Sequence, residues 1–330
     1  MKIVYLFLFF TTYMFSCDCQ YGNSSFIENY NNTDYIFQGK VISINNIVLD
    51  NNDYKKISFE ILMNFKGILK KTITIYTHTL DSACGLGINS VGENWIIWAS
   101  IYNDRIETDQ CTNSILFTNI DAYNLETLKK IKNAKGFNIW YDKEGKKSGE
   151  GEYIDNKASG KWIYYINNYI VNEGNYKSGV KDGKWVYYFL PKFTPKENEI
   201  NIEFINKNYR KIKLIEYFNY GKKDGEYICF SNNGLINYKK NYKKNLLDGI
   251  SIKYTENGNV NYIYNYKENK LDGMNISFHS NNIVELISFY ESGNPIGEWE
   301  LFDNNGNLLC KSSTKRPIYD SNTKSYRCQD

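Results

Sequence analysis

The feature that most constrains this chain is a beat of 24 residues running through its C-terminal part. Gly136, Gly160, Gly183, Gly225, Gly249, Gly273 and Gly297 follow one another at intervals of 24, 23, 42, 24, 24 and 24 residues, the long interval being one repeat plus 18 inserted residues. An aromatic side chain stands five places after each glycine: Tyr141, Tyr165, Tyr188, Phe230, Tyr254, Phe278 and Phe302. Another stands seven places before each of the last six: Tyr153, Tyr176, Phe218, Tyr242, Tyr266 and Tyr290. A fixed period of this length marks a repeat array, whose units bury their apolar faces by stacking on their neighbours.

Within each unit the pattern predicts one β-hairpin. Position three after the glycine is Ile139, Ile163, Val186, Ile228, Ile252, Ile276 and finally Glu300. It shares a strand face with the aromatic at position five, and that face is expected to be the buried one. Nine places after the glycine a second glycine recurs (Gly145, Gly234, Gly258, Gly306), often after Asn, so the chain is expected to reverse there. The returning strand carries Ile212, Ile236, Val260, Val284 or Leu308 and then the second aromatic, again on one face. A turn such as Gly221 to Gly225 leads into the next unit. Because a lone hairpin is marginal in water, seven of them should stack into a solenoid-like twisted sheet over 136–309, interrupted near 191–210 and ending where Glu300 turns a polar face to solvent.

The pattern resembles the MORN-repeat variants of bacterial proteins of the YwqK-antitoxin type. The resemblance is carried by Asp182-Gly183-Lys184-Trp185, Asp224-Gly225-Glu226-Tyr227 and Asn233-Gly234, with Asn282 in place of a turn glycine as a departure. It implies a fold and a binding role, and no catalytic residue.

The chain opens with Lys2 and an apolar run, Ile3 to Phe15, too short to cross a bilayer as a helix but suited to a secretory signal. A signal peptide of residues 1–16 leaves Cys17 as the mature N-terminus. With 42% hydrophobic and 16% aromatic residues but only 4 Pro, the remainder is expected to be folded, all-β and rich in tight turns. Between 136 and 309, 23 Lys and Arg stand against 22 Asp and Glu, which leaves no basic footprint for nucleic acid.

Residues 17–135 read as a domain of their own. β-rich runs at 35–44, 57–65, 72–77 and 94–101 give four or five strands, and a helical period with Leu125, Leu128 and Ile131 on one face closes the domain after Asp121. Four of the seven cysteines fall in this region (Cys17, Cys19, Cys84, Cys111), Cys310 and Cys328 bracket a tail at 310–330, and Cys229 stands alone in a repeat strand. In an exported protein such cysteines oxidise; four of them allow three pairings, and Cys229 reads as an unreactive thiol.

Cys17-x-Cys19, then Asp34 to Val41, Phe65-Lys66-Gly67, Cys84-Gly85, Gly92-Glu93-Asn94-Trp95 and Cys111 together resemble the netrin-type domain of the tissue inhibitors of metalloproteinases. The resemblance implies an OB-like five-stranded barrel with Cys17 bonded to Cys84 and Cys19 to Cys111. In that family the α-amino group and carbonyl of the first cysteine chelate a protease's zinc, a role that would fall to Cys17. A lipidated Cys17 would instead tether the protein to a membrane.

Catalysis is not expected. The two histidines, His78 and His279, lie in different domains and form no ligand spacing, and Asp182, Asp224, Asp248 and Asp272 each precede a turn glycine. No cofactor and no intrinsic metal is implied. The sequence therefore reads as an exported, disulfide-stabilised, non-catalytic binding or scaffold protein of the bacterial envelope, with a protein or glycan partner. The alternatives are a metalloprotease inhibitor and an antitoxin-like immunity protein. The expected contact surface is the second aromatic row, two places after the glycines: Trp162, Trp185, Tyr227 and Trp299.

Overall fold

The computed structural model describes residues 24–67, 70–79, 85–191 and 210–313, with the backbone of Ile318–Asp320 and Ser325–Arg327. The anticipated signal segment, Cys17, Cys19, Cys84 and Cys328, and residues 192–209 of the insertion lie outside the described residues. The chain divides into two compact units between Ala134 and Lys135.

The first unit is a closed barrel. Strands β1 (Tyr35–Leu49), β2 (Asn52–Lys66), β3 (Thr72–His78), β4 (Asn94–Tyr102) and β5 (Arg105–Glu107) pair in the order β1-β2-β3-β5-β4, and β1 also pairs with β4 to close the ring. The β3–β5 pairing is parallel and the others antiparallel, the topology of an OB-type barrel. Its interior is filled by Phe37, Val41, Ile57, Phe59, Ile75, Ile88 and Ile97, all fully buried. Helix α2 (Ala122–Lys132) matches the expected closing helix: Asp121 caps it by accepting from the Asn124 N–H at 2.7 Å, and Leu128 and Ile131 are buried.

The sequence reading anticipated a single helix, and there is a second. Helix α1 (Phe26–Asn32) begins at Ser25, whose hydroxyl accepts from the Glu28 N–H. Its Phe26 and Tyr30 rings pack edge-on against Trp98 at 5.1 and 6.4 Å. Its C-terminal end is tied to β2: the Tyr30 hydroxyl donates to the Phe65 carbonyl, and the Lys66 ammonium donates to the carbonyls of Tyr30 (2.6 Å) and Asn31 (2.9 Å).

Over its described residues, the second unit holds one antiparallel sheet of seven consecutive hairpins, with Ile318–Asp320 and Ser325–Arg327 paired in a separate two-stranded sheet. They are Gly136–Tyr141 with Lys147–Ile154, Lys157–Ile166 with Tyr169–Lys177, Val180–Tyr188 with Ile212–Asn219, Lys222–Phe230 with Ile236–Lys243, Gly249–Tyr254 with Val260–Lys267, Gly273–Phe278 with Val284–Glu291, and Asn294–Phe302 with Leu308–Ser313. The last strand runs to Ser313, so Cys310 belongs to the array and not to the tail.

Two details of turn placement differ from the expectation. The two-residue turns with both φ positive join successive hairpins, as at Lys244-Asn245 (52° and 74°) and Glu268-Asn269 (50° and 67°). The opening glycines lie in or at the start of strands instead: Gly225 (φ 118°) lets Lys222–Phe230 bulge where its register shifts, and Gly273 (φ 103°) begins its strand. At the other edge Asn282 keeps the turn-glycine conformation with φ 67°, which asparagine tolerates.

Turns also bond to turns along the array. The N–H groups of Asn245, Asn269 and Gly293 donate to the carbonyls of Lys223, Leu247 and Leu271, one repeat back. The Asn245 and Asn269 side chains accept from the N–H groups of Lys223 and Leu247. Each unit is thus held by its neighbour's backbone as well as by packing, which gives the 24-residue period its physical basis.

Candidate functional site

The sheet has two faces, and the sequence reading assigned the buried one wrongly. Positions two and four after the opening glycine carry the most buried rings, Trp162 and Tyr164 at 0% exposure and Trp185 at 0%. Positions three and five are half-buried or exposed at most repeats, with Ile139 at 42% and Tyr141 at 50%, Tyr165 being the buried exception. The reason is visible on the neighbouring strands. A Cβ added to Gly151 would lie 2.3 Å from the Trp162 ring, and one added to Gly174 would lie 2.3 Å from the Trp185 ring. The indoles therefore lie flat on glycine backbone, and their N–H groups donate to the carbonyls of Glu152 (3.2 Å) and Asn175 (3.1 Å).

The same pair of positions trades volume along the array: Gly151 with Trp162, Gly174 with Trp185, Glu216 with Tyr227, Lys240 with Ser251, Tyr264 with Asn275, Ser288 with Trp299. The tyrosines seven places before the glycines complete this tryptophan face, Tyr153 and Tyr176 packing edge-on to Trp162 and Trp185 at 5.0 and 5.1 Å.

The expected contact row is corrected accordingly. Trp162 and Trp185 are fully buried and Trp299 is 5% exposed, so these three belong to the packing of the array; Tyr227 alone of the four is half-buried. The face changes along its length. Where the glycine–tryptophan pairs end, tyrosines and lysines take over and burial falls: Tyr227, Tyr238, Lys240, Tyr242, Lys253, Tyr262, Tyr264 and Tyr266 are all half-buried.

Cross-strand register orders them. Tyr238 stands opposite Lys253 and Lys253 opposite Tyr262, while Tyr227 stands opposite Lys240. The Lys240 ammonium lies 5.7 Å from the Tyr227 ring and 5.2 Å from Tyr238, and that of Lys253 lies 5.8 Å from Tyr262. The Tyr262 and Tyr264 rings stack at 5.5 Å. Glu216, buried on this face, is neutralised by Lys223 at 2.6 Å. Burial pushes the hydroxyls of Tyr242 and Tyr266 up, so both stay neutral donors at physiological pH.

The opposite, isoleucine face is built differently. Its charges are matched across strands, as in Glu226 with Lys239 (2.8 Å), Glu300 with Lys311 (2.7 Å) and Glu173 with Arg210 (2.6 Å).

The remaining candidates fall into place individually. The Cys111 N–H donates to Asp109 Oδ1 at 2.8 Å, and Cys310 stands opposite Leu301 in the last hairpin. Cys229 is a free thiol on the tryptophan face, and burial pushes its pKa up. His78 ends β3 with its ring 4.2 Å from Tyr54, and the His279 Nε2 lies 2.9 Å from the Phe302 carbonyl oxygen. Asp182 and Asp272 accept from the turn N–H groups of Tyr220 and Ser292. Among the described residues no cluster of His, Cys, Asp or Glu could hold a metal.

No family model matches the sequence, and no curated protein matches it.

Proposed function

We propose that the protein is an exported binding or scaffold protein that engages an extended partner through the tryptophan face of its hairpin array, without catalysis of its own. The observation that carries this reading is the change in that face, from rings sealed on glycine to half-buried tyrosines and lysines over Lys222–Phe278. A face that only held the array together would keep the glycine–tryptophan pairing throughout. Large, rigid tyrosine rings bring contact area at small entropic cost. Capture from solubilised envelope by the immobilised full chain tests the reading, with Y238A/Y262A as the comparison. The partner should be retained by the native chain and lost by the variant; equal capture by both would sink it.

A second reading, metalloprotease inhibition through the Cys17 amine, is favoured by the ring order of the barrel strands. One residue added ahead of Cys17 should abolish such inhibition by displacing the amine from the zinc. Undiminished inhibition by that extended protein, or none by the native one, would exclude it. The antitoxin reading rests on the repeat resemblance alone, and recovery of the mature chain outside the cytoplasm would rule out neutralisation of a cytoplasmic toxin.

A further inference from the structure

The lysines of the tyrosine-rich stretch stand apart from the other charges on the array. Lys240 and Lys253, on adjacent strands, are half-buried and make no ion pair among the described residues. Their register makes them diagonal neighbours on one face, a separation of roughly 7–8 Å at the backbone. Two like charges partly removed from water repel one another, and an anion between them relieves both costs. The strand before this stretch carries a carboxylate on the same face, Glu216, and it is already committed to Lys223.

Further along this face the Asn275 side-chain amide and the Trp299 indole N–H are buried donors with no acceptor.

We propose that this stretch binds an acidic glycan strand, its carboxylates held by Lys240 and Lys253 and its sugar rings packed on Tyr238 and Tyr262. The proposal rests on the binding role assigned above and names the ligand class. Three features select a glycan among anionic polymers. Two uncompensated cations suit a chain with widely spaced charges, whereas nucleic acid carries a charge on every nucleotide and calls for a denser basic track. An extended peptide pairs with a sheet edge through its backbone, but these groups lie on a face. The row Tyr238, Lys253, Tyr262 alternates ring, cation and ring at the strand spacing of about 4.8 Å, which a chain of uronate and neutral sugars can follow.

Calorimetric titration of the full mature chain tests the assignment, with hyaluronan oligosaccharides as probe. A neutral cello-oligosaccharide, a polyglutamate, a single-stranded oligothymidylate and phosphatidylserine vesicles are run beside it. Hyaluronan should bind, and K240Q/K253Q should weaken it about tenfold or more, the loss of charge-assisted contacts. K240R/K253R should retain most of the affinity. K222Q/K243Q, the same charge change at exposed strand ends, should bind like the native chain, and thermal melts of all variants report that they fold. Hyaluronan binding that is absent, or unaffected by K240Q/K253Q, overturns the proposal. Equal or tighter binding of polyglutamate, oligothymidylate or vesicles overturns the glycan assignment. If the partner captured from the envelope is lost with Y238A/Y262A while hyaluronan never binds, the glycan proposal fails and the binding role survives.

Discussion

Adding one methyl group at Gly174 is the sharpest test of how the array is packed. The new Cβ would stand 2.3 Å from Cδ2 and 2.4 Å from Cε2 of Trp185, where van der Waals contact needs about 3.5–4.0 Å. The indole cannot easily retreat: it is fully buried, packs against Tyr176 at 5.1 Å and donates to the Asn175 carbonyl at 3.1 Å. Overpacking costs about 1–3 kcal/mol and the loss of a buried hydrogen bond about 1 kcal/mol, so G174A should destabilise the array by about 2–4 kcal/mol. G145A supplies the contrast, since its Cβ meets nothing within 4 Å at φ +75° and should cost only the backbone strain of about 1–2 kcal/mol. Denaturant melts followed by near-ultraviolet circular dichroism measure both. In a W185S background the steric conflict is gone, so G174A should then cost at least about 1 kcal/mol less than in the native chain. A G174A penalty below about 0.5 kcal/mol, or full additivity with W185S, would refute the packing of indole on glycine.

Burial holds the Lys66 ammonium at about 7, below the usual lysine value, so from pH 7 upward the folded state binds fewer protons than the unfolded chain and stability should rise with pH. Urea melts between pH 7 and 9 should show that rise in the native protein and a flatter profile in K66Q; parallel profiles would contradict it. The Cys229 thiol, half-buried and pushed up by burial, should react with a disulfide reagent at pH 7.5 at least about tenfold more slowly in the folded chain than in the unfolded one, and equal rates would sink that reading. At the Asn282 turn, with φ 67°, N282G should be neutral to within about 0.5 kcal/mol while N282A costs about 1 kcal/mol; equal stabilities would show that the position does not need the left-handed conformation.

The hairpin count was legible in the sequence because the array repeats its constraints. Left-handed turn residues and rings recur at fixed distances from Gly136 to Gly297, and a sheet of hairpins follows from them. Which face is sealed was not legible from those positions, because both faces alternate large apolar side chains; the row through Ile163 and Tyr165 looks as core-like as the row through Trp162 and Tyr164. The deciding signal stood eleven residues upstream of the two fully buried indoles of the array, at Gly151 and Gly174, glycines off the main beat whose missing side chains make room for Trp162 and Trp185. Helix α1 also had a local signature, Ser25 three residues before Glu28, which the absence of a long apolar period obscured. The candidate surface of Tyr238, Lys240, Lys253 and Tyr262 was hidden for a different reason. Net charge over the array is near balance, and only strand register shows that the opposite face pairs its charges while Lys240 and Lys253 share the tryptophan face without an ion pair among the described residues.

The central claim, an exported binding protein with an oxidised N-terminal barrel, meets its most direct test in the intact mass of the chain recovered from the cells that make it, measured before and after reduction. The account predicts a chain beginning at Cys17, found outside the cytoplasm, that gains about 2 Da for each disulfide opened. A chain of the full 38.7 kDa, recovered from the cytoplasm with a mass unchanged by reduction, would contradict it.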